Sequence, residues 1–257
     1  MSCPLLLGLA GDKLDGDADF STGDRPDADA LVADLFGLNV RGAKTLAHLV
    51  TQPAKVFASA RVNDWQGRYT PTMRLAFSVL TVFSLLSFFW AAEDGVLYQT
   101  LLDIFSEGFA EQPNAPPVNE FISAMFVGYN FIYPFTYMLV HSLVGSLVLV
   151  WGTGTPWVAR IRLYFGVAAL GIAISVLSIA AMPFISTNMM WVWTTLALAV
   201  GFLAFIFTYA RGMRGRRSKW GLLWRAVLLA SIVTITDFIV AIIAGTSAGY
   251  WAELRIA

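Results

Sequence analysis

Beyond residue 70 the chain is dominated by long apolar runs with short polar interruptions. Five runs stand out, near 71–92, 122–151, 163–185, 189–210 and 221–245. Each holds roughly the 20 residues that a helix needs to cross a hydrocarbon core. The period-two alternation of a barrel strand is missing, and backbone polar groups in lipid must be satisfied within the segment, so the runs predict helices. Upstream, between Ala28 and Ala60, apolar residues recur at helical spacing in "ALVADLFGL" and "KTLAHLVTQPAKVFASA". Pro53 begins a second helix there rather than continuing the first. The pattern predicts an all-α polytopic membrane protein with five transmembrane helices, preceded by N-terminal cytoplasmic amphipathic helices. Its divisions are a flexible acidic arm over 1–30, interfacial helices over 31–70, and a transmembrane domain over 71–257 with an outer loop at 93–120.

Composition agrees, because 57% hydrophobic and 13% charged residues with a mean hydropathy of +0.66 exclude a soluble globular domain. The net charge of zero conceals segregation, since eight of the seventeen acidic residues fall between Asp12 and Asp34. Lysine and arginine collect beside the runs in three places: Lys55, Arg61, Arg68 and Arg74; Arg160 and Arg162; and Arg211, Arg214, Arg216, Arg217 and Lys219. All three fall on one side of a five-span topology. The loop from Glu93 to Glu120 contains neither lysine nor arginine but six acidic residues. Because positive charge is retained in the cytoplasm, the N-terminus is expected inside and the tail after Tyr250 outside.

Several alternatives fail on inspection. "MSCPLLLGLAGD" lacks a basic region and a long enough apolar stretch, so no cleaved signal is expected. Cys3 is the only cysteine, which excludes an intrachain disulfide and a cysteine-based zinc site. The aspartates from Asp15 onward resemble a calcium loop, but Phe20 and Pro26 stand where glycine and glutamate are required. On the outer side, "VLYQTLLDIFSEGFAE" sets Leu97, Leu101, Ile104, Phe105 and Phe109 on one face. That predicts an interfacial helix with an acidic upper surface, a place where a basic partner could dock.

The stretch "RYTPTMRL" at 68–75 guards the first run. Pro71 suits a first helical turn and Thr70 an N-cap. Arg68 and Arg74 are expected to pair with anionic lipid headgroups, with Tyr69 at headgroup level as a lipid anchor. Together with "LVTQPAKVF" at 49–57, this stretch resembles a family of uncharacterised bacterial inner-membrane proteins. Their mark is an Arg-Tyr-x-Pro-Pro-x-Arg-Leu approach to the first helix. Thr72 replaces the second proline, and the Cys-pair zinc ribbon often found in that family is absent. The resemblance implies a multi-pass protein of the bacterial inner membrane and adds nothing on catalysis; the charge pattern is what sets the N-terminus in the cytoplasm and the C-terminus in the periplasm.

Chemistry is sparse. There is no Walker loop and no HExxH, and "GTGTPW" at 152–157 follows no strand, so it reads as a turn. No catalytic residue, metal site, cofactor or nucleic-acid partner is expected. Polar residues inside the runs remain. Asp237 lies deep in the fifth run, and Tyr129, Tyr133, Tyr137 and His141 form a stripe along the second. Pro134 cannot donate to the carbonyl of Asn130, leaving an acceptor that a protonated Asp237 could satisfy. A contact among Asp237, Asn130 and Tyr133 is predicted, with Tyr137 and His141 on the same stripe but His141 too far toward the cytoplasm to join directly. The leading functional reading is a non-enzymatic accessory subunit or organiser that associates with other membrane-protein subunits. The alternative is a small-molecule or ion transporter or channel using the Tyr/His stripe and Asp237.

Overall fold

The computed structural model describes residues 40–65, 67–90, 95–110, 116–214 and 218–256. The acidic arm, residues 31–39 of the predicted interfacial region, and Arg216 and Arg217 lie outside the described residues. So do positions 91–94 and 111–115 of the outer loop.

Every regular element among the described residues is helical. The α-helices are α1 (Val40–Thr51), α2 (Pro53–Val62), α3 (Thr72–Trp90), α4 (Val96–Ala110), α5 (Val118–Leu147), α6 (Trp157–Ala181), α7 (Met190–Gly212) and α8 (Lys219–Ile256). Three helical segments are long and apolar enough to cross a membrane: Trp157–Phe184, Met190–Gly212 and Lys219–Ile256. The apolar part of α3, Thr72–Ser87, is shorter. Helix α5 has the length, 30 residues, but tyrosines, asparagine, proline and histidine dilute its apolar character.

Helix α6 begins at Trp157 rather than near residue 163, and two other predicted ends shift as well. The second run was expected to reach residue 151, but α5 ends at Leu147, and Val148, Val150 and Trp151 are buried off the helix in the main core. The following turn bends at Gly152, whose φ of 117° suits only glycine. Arg160 holds that turn through the carbonyls of Thr155 (2.7 Å), Thr153 (3.2 Å) and Ser146 (3.4 Å). The carbonyls of "GTGTPW" therefore face a guanidinium, the opposite of a phosphate cradle. The fifth run was expected to end near 245, yet α8 continues to Ile256, through the tail placed outside the membrane.

The main core joins α1, α2, α3, α5, α6, α7 and α8. Helices α1 and α2 are not spread on a surface. Leu49, Val56, Phe57 and Ala60 are buried within that core, and Phe57 packs against Gly166 of α6 and Gly212 of α7. Since Thr72 also reaches Arg162 and Arg211 reaches Val50, the basic clusters gather at one end of the bundle. A second cluster seats α4 on the far end of α5 through Tyr98, Phe105, Phe109 and Phe121. Leu97 and Leu101 join it as the face predicted, but Ile104 is exposed.

Candidate functional site

Of the residues expected to anchor lipid, Tyr69 has another role. Tyr69 is buried, and its hydroxyl lies 2.8 Å from Nδ1 of His48. Next to it the Thr70 N–H donates to Thr45 Oγ1 at 2.9 Å, and the Thr72 hydroxyl donates to the Arg162 carbonyl at 2.6 Å. The headgroup position expected for Tyr69 is thus corrected: half-buried His48 supplies a partner that keeps the phenol inside. Arg68 is exposed and Arg74 half-buried, and both interact within the chain. Thr72, where a proline was expected from the resemblance, fastens the start of α3 to α6 by its hydroxyl.

The polar stripe on α5 forms as its spacing predicts. Tyr129 stacks on Tyr133 (ring centroids 5.1 Å), Tyr133 meets Tyr137 (5.9 Å), and Tyr137 stacks face to face on His141 at 3.8 Å. Four-residue spacing places each ring one turn above the next, with a slow drift around the helix. Phe83 of α3 stacks on Tyr133 at 5.5 Å, so the stripe faces inward.

At the foot of this ladder lies the contact that the sequence placed wrongly. His141 is fully buried, and its Nε2 lies 3.1 Å from Oδ1 of Asp237 on α8. Its Nδ1 lies 3.0 Å from the Tyr164 hydroxyl on α6. His141 is the direct partner of Asp237. Asn130 does not hydrogen-bond to Asp237, and its Nδ2 is buried without a partner. Tyr133 and Tyr137 line the same cavity as Asp237. The reason is register. Gly128 meets Ala248 and Trp251, so α5 and α8 run antiparallel in a frame that brings 141, not 130 or 133, opposite 237. The first turns of α8 do not stop level with α5. Ala226, Leu229 and Ala230 continue past its end and are buried in the same core as Val150, Trp151 and Met213. Asp237 is consequently midway along a 38-residue helix.

The pair is close but not an aligned hydrogen bond. Both His141 Nε2 and Asp237 Oδ1 are enclosed, and neither has another acceptor or donor. An isolated charge enclosed at these two atoms would be costly. Asp237 is 36% exposed as a side chain although Oδ1 is enclosed, so the rest of the carboxyl opens onto a cavity.

That cavity, about 300 Å³, exists because α7 packs tightly only at one end. Its buried residues are Phe205, Thr208, Tyr209 and Gly212. The Tyr209 hydroxyl bonds the Val150 carbonyl at 2.8 Å, and Gly171 of α6 leaves room for the ring of Phe205. Toward Met190 the helix stands off, held by Trp193 donating to the Ser178 carbonyl at 3.2 Å. The gap is lined by Tyr133, Tyr137 and Phe83 on one side and by Ser175, Ser178 and Thr194 on the other, with Asp237 in its wall.

Sequence reasoning missed Tyr164 and the α6–α7 wall. Tyr164 had one available signal, a phenol within an otherwise apolar run, which needs a partner when buried. Among the described residues no group of three or more His, Cys, Asp or Glu side chains could hold a metal ion. No protein-family model, curated protein or solved structure matches this chain.

Proposed function

We propose that the protein is a five-span membrane transporter in which a proton held by His141 and Asp237 is coupled to movement of a small solute through the adjoining cavity. The observation that carries this reading is the 3.1 Å contact between His141 Nε2 and Asp237 Oδ1 at the cavity wall. A buried pair of this kind accepts or releases a proton at modest cost only if something replaces the lost charge, which is the requirement for coupling. The Tyr164 hydroxyl on Nδ1 fixes the ring, and the tautomer that accepts from Tyr164 presents Nε2–H to the carboxylate.

Exposed aromatic residues support the membrane setting. Trp157, Trp220 and Trp224 cluster at one end of the bundle, and Phe184, Trp191 and Tyr250 at the other, as in interfacial belts. From Trp224 to Tyr250 α8 rises by roughly 39 Å, close to the thickness of a bilayer with its interfaces. That places Asp237 near the midplane. The gathered basic clusters favour a cytoplasmic N-terminus, and the local likeness at 49–57 and 68–75 favours a bacterial inner membrane. The accessory-subunit reading rested on the absence of chemistry motifs, on interfacial helices and on the acidic outer loop; the His–Asp pair bears on the first of these.

The test is a pH jump on proteoliposomes adsorbed to a solid-supported membrane. Wild type should give a transient current as protons enter the pair, and Asp237→Asn and His141→Gln should lose it. A wild-type protein that is monodisperse, correctly inserted and electrically silent would rule the reading out.

A further inference from the structure

We infer that the cavity binds a small organic ammonium ion, held against the exposed side of the Asp237 carboxylate and among aromatic rings, and that its binding expels the proton from the His141–Asp237 pair. The inference rests on the transporter reading and names the class of solute.

The lining decides the class. Among the described residues that line the cavity, Asp237 is the only carboxylate, and none is lysine, arginine or histidine. An anion would find no counter-charge there. A metal ion would find too few ligands, since one carboxylate and scattered hydroxyls do not make a coordination shell. A diffuse cation fits better. Phe83, Tyr133, Tyr137, Phe205 and Phe238 line the same cavity as the acid, and aromatic faces attract an ammonium whose charge is spread over alkyl groups. A cavity of about 300 Å³ takes an ion of roughly ten heavy atoms while burying most of its surface.

Charge conservation then links the ion to the proton. The ionisable groups facing Asp237 are His141, Tyr133 and Tyr137 from α5 and Tyr164 from α6. No ionisable residue of α3 or α7 lines the cavity beside it. With a proton on His141 the pair is neutral overall, and the cavity has no net attraction for a cation. Loss of that proton leaves Asp237 as an uncompensated carboxylate, which the ammonium neutralises. One cation enters as one proton leaves, so charge balances: protonated His141 paired with ionised Asp237, plus the ammonium ion, gives neutral His141, Asp237 paired with the ammonium, and one proton released. The geometry allows this because Oδ1 is enclosed against His141 while Asp237 also lines the cavity, where the Tyr137 hydroxyl neighbours its carboxyl group.

The experiment is calorimetric titration of the purified full-length protein in detergent with phenyltrimethylammonium, repeated in two buffers of different ionisation enthalpy to count released protons. Its neutral isostere, tert-butylbenzene, and the anion benzoate are titrated alongside. The expected result is cation binding at least tenfold tighter than either comparator, with about one proton released per ion. Asp237→Asn should lose the cation preference. His141→Gln, which leaves the carboxylate in place, should retain cation binding but release no proton. Equal binding of the cation and its isostere to wild type would overturn the inference, as would unchanged proton release in His141→Gln. If the pH-jump current is present but the ammonium does not bind, the solute class is wrong and the transporter reading stands. If the ammonium binds with proton release but is not carried across the vesicle wall, the site stands and transport falls.

Discussion

Replacing Gly212 with alanine should be costly, and replacing Gly171 with alanine should not, although in both cases the new methyl group overlaps a phenylalanine ring. At Gly212 a β-carbon would overlap two carbons of the Phe57 ring and lie 3.2 Å from a third. To regain an ordinary carbon–carbon distance the ring must retreat by roughly 1 Å. It has nowhere to go. Phe57 is 1% exposed, stands edge-on to Trp151 at 5.7 Å between centroids, and already approaches the Gly166 position at 3.2 Å. Overpacking of this kind costs about 1–3 kcal/mol. At Gly171 the overlapped ring belongs to Phe205, which borders the cavity and can swing into it, so the cost should stay below about 1 kcal/mol. Thermal unfolding in mild detergent, followed by fluorescence-detected gel filtration, reads the difference. At roughly 2–4 °C per kcal/mol for a chain of this size, Gly212→Ala should unfold about 2–12 °C below wild type. Gly171→Ala should stay within a few degrees but bind phenyltrimethylammonium more weakly, because the displaced ring occupies the site. Equal losses at the two positions, or an unchanged Gly212→Ala, would refute the packing argument.

Three further outcomes are expected. Thr72→Val keeps the shape of the side chain but removes its bond to the Arg162 carbonyl, so it should destabilise by about 1 kcal/mol in the same unfolding assay. Tyr69→Phe leaves the His48 nitrogen without its hydroxyl partner and should lower stability by about 0.5–1.5 kcal/mol while membrane insertion is unchanged; a selective loss of insertion would restore the lipid-anchor role. In a Cys3→Ser background, cysteine at Ser186 should react with an impermeant thiol reagent from outside intact cells and cysteine at Ser218 only after permeabilisation, and the reverse pattern would invert the topology.

Much of the architecture was legible because a long apolar run marks the extent of a helix whether its side chains are buried or face outward. The run at 189–210 matches α7 to within two residues at each end, and the Pro53 break between α1 and α2 follows from ring chemistry that no tertiary contact can override. The stripe from Tyr129 to His141 was equally visible, since four-residue spacing fixes a helix face without knowledge of the neighbours. The partner of Asp237 was not visible. Matching the depths of two antiparallel helices requires knowing how far each projects past the other, and that depends on the buried segment Val148–Trp151 and the first turns of α8, which look like span and loop in sequence. Tyr69 was misplaced for a related reason. A tyrosine between arginines has the composition of a membrane interface, and only the fold reveals that His48, 21 residues earlier, meets it.

The docking of α1 and α2 constrains how the chain is built. These two helices leave the ribosome before the other described helices, and the surfaces that receive Phe57, at Gly166 and Gly212, are synthesised more than a hundred residues later. Until then Leu49, Val56 and Phe57 have no protein to cover them. The apolar side of α1 and α2 has no protein cover until α6 and α7 have both been made, and it closes over their adjoining ends only then. An early-made part of the fold is therefore among the last to reach its place, and its arrival marks a completed bundle.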